Sequence, residues 1–161
     1  MTVDEIMVAV GDCPRVCFTG GEPMLQGDAP ELIDRLISSG KQVDIETNGA
    51  VDLSAVPDDP HILISMDIKC PSSGMTDRMI WRNVDLLGTK DQLKFVIDTD
   101  EDLDFAVDFV KRNRPRTNVI FGPVGGTEKL ERLVGRVLAE NLDVRVLPQL
   151  HKIIWGNKRA V

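Results

Sequence analysis

Tyrosine is absent from this sequence, and aromatic residues make up only 4% of it. Also missing is any apolar run near the roughly 20 residues that a helix needs to cross a bilayer, so no membrane span is expected. The opening Met1-Thr2-Val3-Asp4-Glu5 does not read as a signal peptide. There is no basic excess: 19 Lys and Arg stand against 26 Asp and Glu, a formal charge of −7. Basic residues cluster only over 111–116 and at Lys158-Arg159. That balance argues against a general nucleic-acid or membrane-surface binder. Cysteine is scarce and odd in number, three in all. Reduced thiols in a cytoplasmic protein are therefore expected rather than a disulfide framework. No low-complexity stretch or fixed-period repeat is present. What remains is 161 residues, enough for one domain spanning 1–161 with a respectable core.

Hydrophobic periodicity divides that length. Thr2 and Glu5 form a capping box ahead of Val3, Ile6, Met7 and Val10, so a helix is expected near 3–11. A strand follows at 16–19. Asp28 and Glu31 head a second helix with Leu32, Ile33, Leu36 and Ile37 on one face, closed by Gly40. Strands are expected at 42–46 and 62–68, either side of a Pro- and Asp-rich loop at 57–60. Residues 75–88 are ambiguous, with a short helix around 80–87. A strand at 92–97 leads to a helix capped by Thr99, with Leu103, Ala106, Val107 and Val110 facing inward and Lys111 and Arg112 at its negative end. After a strand at 118–121, Gly125-Gly126-Thr127 opens a helix that buries Leu130, Leu133, Val134, Val137 and Leu138. The last strand, 144–149, runs into His151-Lys152-Ile153-Ile154-Trp155. Alternating strands and helices predict an α/β fold with right-handed crossovers: a partial, open (βα) barrel of about six mostly parallel strands.

The chain is organised around Val16-Cys17-Phe18-Thr19-Gly20-Gly21-Glu22-Pro23. A short strand breaks into two glycines, which permit positive φ and close approach of backbone to a ligand. Pro23 holds Glu22 extended. Polar residues then recur at the ends of successive strands: Glu22, Glu46-Thr47-Asn48, Ser65, Asp67 and Lys69, Lys94, Gly122-Pro123, and Gln149 with His151. In a parallel sheet these ends share one face, which holds the active site. Glu22 suits cationic or N–H donors, Glu46 paired hydroxyls as on a ribose, and Lys69 a carboxylate. An amino acid joined to a nucleoside would satisfy all three.

Gly20-Gly21-Glu22-Pro23 after Phe18-Thr19 resembles the motif with which radical S-adenosylmethionine enzymes hold the methionine amino group. Within that superfamily, residues 19–26 (TGGEPMLQ), 46–49 (ETNG), 67–75 (DIKCPSSGM) and 149–155 (QLHKIIW) resemble 7-carboxy-7-deazaguanine synthase. Residues 92–97 (QLKFVI) and 121–124 (FGPV) fit as well. The resemblance implies a lyase converting 6-carboxytetrahydropterin to 7-carboxy-7-deazaguanine, on the route to queuosine and archaeosine. It implies adenosylmethionine, a [4Fe–4S] cluster and Mg²⁺ as the family's cofactors, a pterin as substrate, and a homodimer without nucleic-acid or membrane partners. Carried over by position, Gly20, Gly21, Glu22 and Pro23 would form the amino-group loop. Glu46 would take the ribose, and Ser65 and Lys69 the carboxylate side. Thr47, Asn48, Gln149 and His151 would face the pterin, although His151 could equally tie down the C-terminal segment.

One departure accompanies the match. The family carries CxxxCxxC after its first strand and a Mg²⁺-binding threonine just beyond, and this chain has neither. Cys13 and Cys17 are spaced CxxxC, no third cysteine follows, and Cys70 belongs to the 67–75 stretch. The expectation is a chain lacking the cluster segment and the first strand of the core, so neither cluster nor Mg²⁺ is expected on it. The strand at 16–19 would then be an exposed edge that invites an interchain contact. Two other readings stay open: a non-catalytic adenosyl- or pterin-binding relative, and another radical-activating enzyme such as a glycyl-radical activase.

Overall fold

A computed structural model describes residues 1–125, 129–156 and 158. Six strands follow one another across a single sheet: β1 (Arg15–Phe18), β2 (Gln42–Thr47), β3 (Ile62–Ile68), β4 (Gln92–Ile97), β5 (Asn118–Pro123) and β6 (Arg145–Val146). Their spatial order is their chain order, and every adjacent pair is parallel. The expected α/β partial barrel is thus present, entirely rather than mostly parallel.

Helices α1 (Val3–Val10), α2 (Ala29–Ser38), α3 (Asn83–Leu86), α4 (Asp100–Asn113), α5 (Leu130–Ala139) and α6 (Leu150–Trp155) connect or flank the strands. Helix α2 lies against β2, α4 against β4, and α5 against β5 and β6. One core results, built from the alternate strand residues Val43, Ile45, Ile64, Met66, Leu93, Phe95, Val119 and Phe121 with Leu32, Ile33, Leu36, Leu103, Val107 and Leu133 from the helices. Phe95 meets Phe121 and Phe109 edge-on, each at 5.4 Å between ring centroids. Such contacts each add about 0.5–1.5 kcal/mol beyond the area buried.

Paired residues of a parallel ladder point to the same side, so the register defines the other face directly. Glu46, Ser65, Gln92 and Asn118 form one row across β2 to β5. Asp67, Lys94, Ile120 and Arg145 form the next across β3 to β6. Apart from the buried Ile120, none of these residues belongs to the hydrophobic core. The sheet therefore has an apolar face covered by helices and a polar face that is not.

Several local expectations are corrected. The capping boxes at Thr2 and Thr99 form, but Asp28 caps α2 without a side-chain hydrogen bond. The helix expected around 80–87 is a single turn, Asn83–Leu86, preceded by 3₁₀ turns at Pro71–Ser73 and Thr76–Arg78. Asn83 explains the interruption: its buried amide donates to the carbonyls of Gly49 and Val51 and accepts from Leu53 N–H, binding this segment to the loop after β2. Val134 and Leu138, expected inside, are 41% and 74% exposed. Helix α5 faces the sheet only through the narrow i, i+4 pair Leu133 and Val137. The strand expected at 144–149 is confined to Arg145–Val146, and the stretch from Leu150 is helical, with Gln149 at its N-cap. Of the glycines and threonine expected to open α5, Gly125 is described and 126–127 lie outside the described residues.

Candidate active site at the carboxyl ends of the strands

The loop after β1 turns through Gly20 and Gly21 at φ of +103° and +59°. A Cβ at either would meet nothing within 4 Å, so the backbone conformation, and not space, requires glycine there. No hydrogen bond among the described residues engages the main-chain carbonyls of Gly20 or Gly21. Glu22 follows at φ −118°, ψ 104°, the extended form imposed by the buried Pro23.

Glu22 is itself buried. One carboxylate oxygen, Oε1, accepts from the Thr47 hydroxyl at 2.9 Å and the Met24 N–H at 3.3 Å. The other, Oε2, accepts from the Asn48 N–H at 2.7 Å. Thr47 Oγ1 in turn accepts from Gly49 N–H at 3.1 Å. The acidic residue of the first loop is thereby latched to the end of β2 by two donors and to its own loop by the third, which holds the Gly20-Gly21 turn against β2. Asn48 completes a local turn, its side-chain oxygen accepting from Ala50 N–H at 2.8 Å.

Beside this latch, the polar face carries a chain of charges. The ammonium of Lys94 stands 3.8 Å from Glu46 Oε1 and 3.8 Å from Asp67 Oδ1. Lys69 Nζ lies 3.7 Å from Asp67 Oδ2, and Thr19 Oγ1 donates to Glu46 Oε2 at 3.4 Å. Three strands thus meet through alternating carboxylate and ammonium groups, each partly open to solvent, and the Thr19 hydroxyl joins them from the loop after β1. Ser65 sits one layer deeper, buried, its hydroxyl accepting from Gln92 Nε2 at 2.8 Å. Gln149, past β6 at the same end, keeps its Oε1 buried and without a partner. An orphaned buried acceptor marks a place where a donor from outside fits. His151 falls in the helix after it, and its side chain lies outside the described residues.

Sequence reasoning noted Lys94 and Asp67 at strand ends but gave them no role; their alternation with core residues in β4 and β3 is the signal that puts them on the face with Glu46. Asp44, two residues before Glu46 on β2, is on that face too, pairing with Arg15 at 3.5 Å. Asp102 was missed as a site support. Fully buried at the start of α4, it accepts from Ser72 N–H (2.9 Å) and Oγ (2.6 Å), Asp98 N–H (3.0 Å) and Thr99 N–H (3.1 Å). It therefore ties the Cys70–Gly74 loop after β3 to the loop after β4. Burial opposes its ionisation, but these hydrogen bonds, led by those from Ser72, hold its carboxyl down at about 2.

The cysteines do not form a ligand set. Cys13 precedes β1 and its Sγ donates to the Arg15 carbonyl, Cys17 points onto the polar face, and Cys70 is buried at the end of β3 within the core. Burial, then the Glu46 and Asp44 carboxylates, raise the Cys17 thiol, with Lys94 opposing. Burial, followed by Asp102, pushes Cys70 up to about 12. Among the described residues no group of three or more His, Cys, Asp or Glu could hold a metal ion, and no helix is long and apolar enough to cross a membrane.

A sequential, all-parallel α/β sheet with helices on one face and charged strand ends on the other defines an open partial barrel of the kind that binds small molecules at its carboxyl edge. Comparison with a solved structure agrees: the crystal structure of QueE from Escherichia coli superposes with a TM-score of 0.62 at 17% identity, over 92% of this chain and 64% of that one. No protein-family model matches the chain. Curated relatives do, among them two at 42% identity. The 7-carboxy-7-deazaguanine synthase of Thermoplasma acidophilum is 42% identical over 146 residues, 91% of this chain and 69% of the relative. That of Methanospirillum hungatei is 42% identical over 160 residues, 96% of this chain and 65% of the relative. The chain belongs to the 7-carboxy-7-deazaguanine synthase family, and it spans about two thirds of the length of these relatives.

Proposed function

We propose that this chain forms the adenosylmethionine- and pterin-binding face of a 7-carboxy-7-deazaguanine synthase, a radical S-adenosylmethionine lyase acting on 6-carboxytetrahydropterin in queuosine and archaeosine biosynthesis. The observation that carries this reading is the row of charges on the helix-free face: Glu46, Lys94, Asp67 and Lys69 in contact, beside a glycine loop with unengaged carbonyls. That donor set fits adenosylmethionine. The Gly20 and Gly21 carbonyls accept from its ammonium, while Glu22, latched by Thr47, Asn48 and Met24, fixes the loop and lends its remaining acceptor capacity. Glu46 accepts from the ribose hydroxyls. Lys69 faces the carboxylate, with Ser65 behind it. Asn48, Thr47, Gln149 and His151 serve the pterin side, where the unpartnered Gln149 Oε1 fits an amino or ring N–H donor.

When bound to a reduced cluster, adenosylmethionine supplies one-electron hydrogen-abstracting chemistry. The three cysteines of this chain do not fit a [4Fe–4S] cluster, and among the described residues no group of three or more His, Cys, Asp or Glu fits a metal ion. The proposal includes a cytoplasmic homodimer in which the free edge of β1 or the outer face of α1 meets the partner copy. Calorimetric titration with adenosylmethionine tests the core of it. A saturable, one-site isotherm that weakens roughly tenfold or more in Glu46→Gln is expected. No binding, or binding indifferent to Glu46, refutes the assignment.

A further inference from the structure

At the opposite end of the sheet from Glu22 and Glu46, the N-terminal ends of β4, β5 and β6 surround a cavity of about 630 Å³. A second cavity, of about 1000 Å³, adjoins it across the shared segment Arg114-Pro115-Arg116. Their linings differ in chemistry. The first is lined by three arginines, Arg114, Arg116 and Arg145, and by a single acidic residue, Asp143. The second is walled by Trp81, Phe105 and Phe109, with Asp85 and the already paired Arg82 at its margin. Trp81 lies 5.8 Å from Phe109 and 6.5 Å from Phe105 between ring centroids, and it is 40% exposed.

Three observations set this place apart. The first is electrostatic. Arg15, Arg35, Arg82, Arg112, Arg132 and Arg136 each sit within 4.0 Å of a carboxylate. Arg78, in the turn Thr76–Arg78, lacks such a partner too, but Arg114, Arg116 and Arg145, likewise without one among the described residues, line a single cavity in a chain of net charge −7. The second is the Thr117 side chain, more than nine-tenths buried in the lining of the first cavity, with Oγ1 unpartnered. A buried hydroxyl without a hydrogen bond is costly unless a ligand or water completes it. The third is conformational. Arg114 ends α4 at φ 43°, ψ 57°, a left-handed position where glycine or asparagine is the low-strain choice. Helix-end neutralisation accounts for one cation near that position, but not for a second unpaired one, Arg116, two residues on, with a third, Arg145, lining the same cavity from β6.

We propose that these joined cavities form a nucleotide-binding site: Arg114, Arg116 and Arg145 hold the phosphate, Thr117 Oγ1 hydrogen-bonds to it, and the planar base packs on Trp81. Guanidinium forks match phosphate oxygens bidentately, and an aromatic wall beside them selects a phosphate attached to a flat ring over a bare anion. The cavity sizes suit a ligand of that class. This site is independent of the chemistry proposed at the carboxyl edge.

The test is a titration of the intact chain with ATP and GMP, followed by tryptophan fluorescence. The sequence has two tryptophans, so Trp155→Phe isolates the signal of Trp81. Saturable quenching is expected, weakened by salt and weakened roughly tenfold or more in Arg116→Gln and in Arg145→Gln. Both arginines are exposed, so these variants should keep the wild-type melting temperature. Thr117→Val, which removes an unpartnered hydroxyl, should retain the fold and lose affinity. Quenching by adenosine equal to that by ATP, undiminished binding in the arginine variants, or no saturation overturns the proposal. So does tight binding of an RNA oligonucleotide with none of either mononucleotide, which would make this a polyanion surface.

Discussion

Glu22→Gln is the substitution on which the geometry of the glycine loop can be judged. The carboxylate is buried, and its two oxygens accept three hydrogen bonds at 2.7, 2.9 and 3.3 Å. A glutamine keeps the shape but turns one acceptor into a donor. If its NH₂ replaces Oε2, it confronts the Asn48 N–H and the shortest bond is lost. If the amide flips, the Asn48 bond is kept. The Thr47 hydroxyl can then rotate to accept, and only the 3.3 Å bond from Met24 is lost. The second arrangement is the less costly. Even so, it removes the charge from the remaining hydrogen bonds, and a hydrogen bond to a charged group is worth about 1.5–3 kcal/mol. For a chain of this size each kcal/mol moves the melting temperature by about 2–4 °C, so a fall of roughly 3–12 °C is expected. Asp44→Asn is the control. Its pair with Arg15 spans 3.5 Å between side chains that are 27% and 65% exposed, so a loss of no more than about 1 kcal/mol is expected. Differential scanning calorimetry compares the two, and adenosylmethionine titration of the same variants should weaken more for Glu22→Gln. A Glu22→Gln melting temperature within about 1 °C of wild type would refute the latch; equal losses of affinity would move the cofactor elsewhere.

Other consequences are open to equally direct measurement. Asp102 ionises in the fold at about 2, below its unfolded value near 3.9. The unfolded chain therefore binds the extra proton, and roughly 2 kcal/mol of stability present above pH 4 is lost as the pH falls to about 2. Asp102→Asn should be less stable at pH 7 yet lose less stability over that interval, as read by urea titration at each pH. Cys13 is exposed whereas Cys70 is buried and pushed up to about 12; iodoacetamide at pH 8 should therefore leave one thiol unlabelled until denaturant is added, and full native labelling would contradict the packing of β3. Lys94→Met should change the melting temperature little, because its ion pairs are partly exposed, but it should weaken adenosylmethionine severalfold by leaving Glu46 and Asp67 facing each other. Unchanged affinity would remove Lys94 from the site.

Much of the architecture was legible in the sequence because strand and helix periods alternate cleanly. The capping boxes at Thr2 and Thr99 were readable for the same reason: their partners lie three residues away. What stayed hidden depended on contacts distant in the chain. Asn83 shortens its helix by bonding to residues 30 or more positions earlier, and no local pattern announces that. Val134 and Leu138 lie on a helical stripe that looks buried, but β5 and β6 cover only part of its width. At the site, residue types and strand ends were legible, while the direction of Glu22 was not. Its partners Thr47 and Asn48 lie 25 and 26 residues on, so whether its carboxylate faces a ligand or the end of β2 is decided only when the strands pair.

The two faces of the sheet explain why so much of the site could be placed from strand ends alone. A fully covered parallel sheet reads as continuous apolar runs, since both faces meet helices. Here β4 alternates, with Leu93, Phe95 and Ile97 buried and Gln92, Lys94 and Val96 only partly so. An all-parallel strand that alternates must turn one face towards something other than a helix. That face holds carboxylates and ammonium groups too close together to be indifferent: Lys94 stands between Glu46 and Asp67, and removing it would leave two like charges on one surface. Structural economy would favour apolar or neutral residues in these positions. A balanced set of charges at the carboxyl edge, held by parallel strands with helices on the other face, is what a charged small molecule requires, and it is the physical ground for the binding face proposed for this chain.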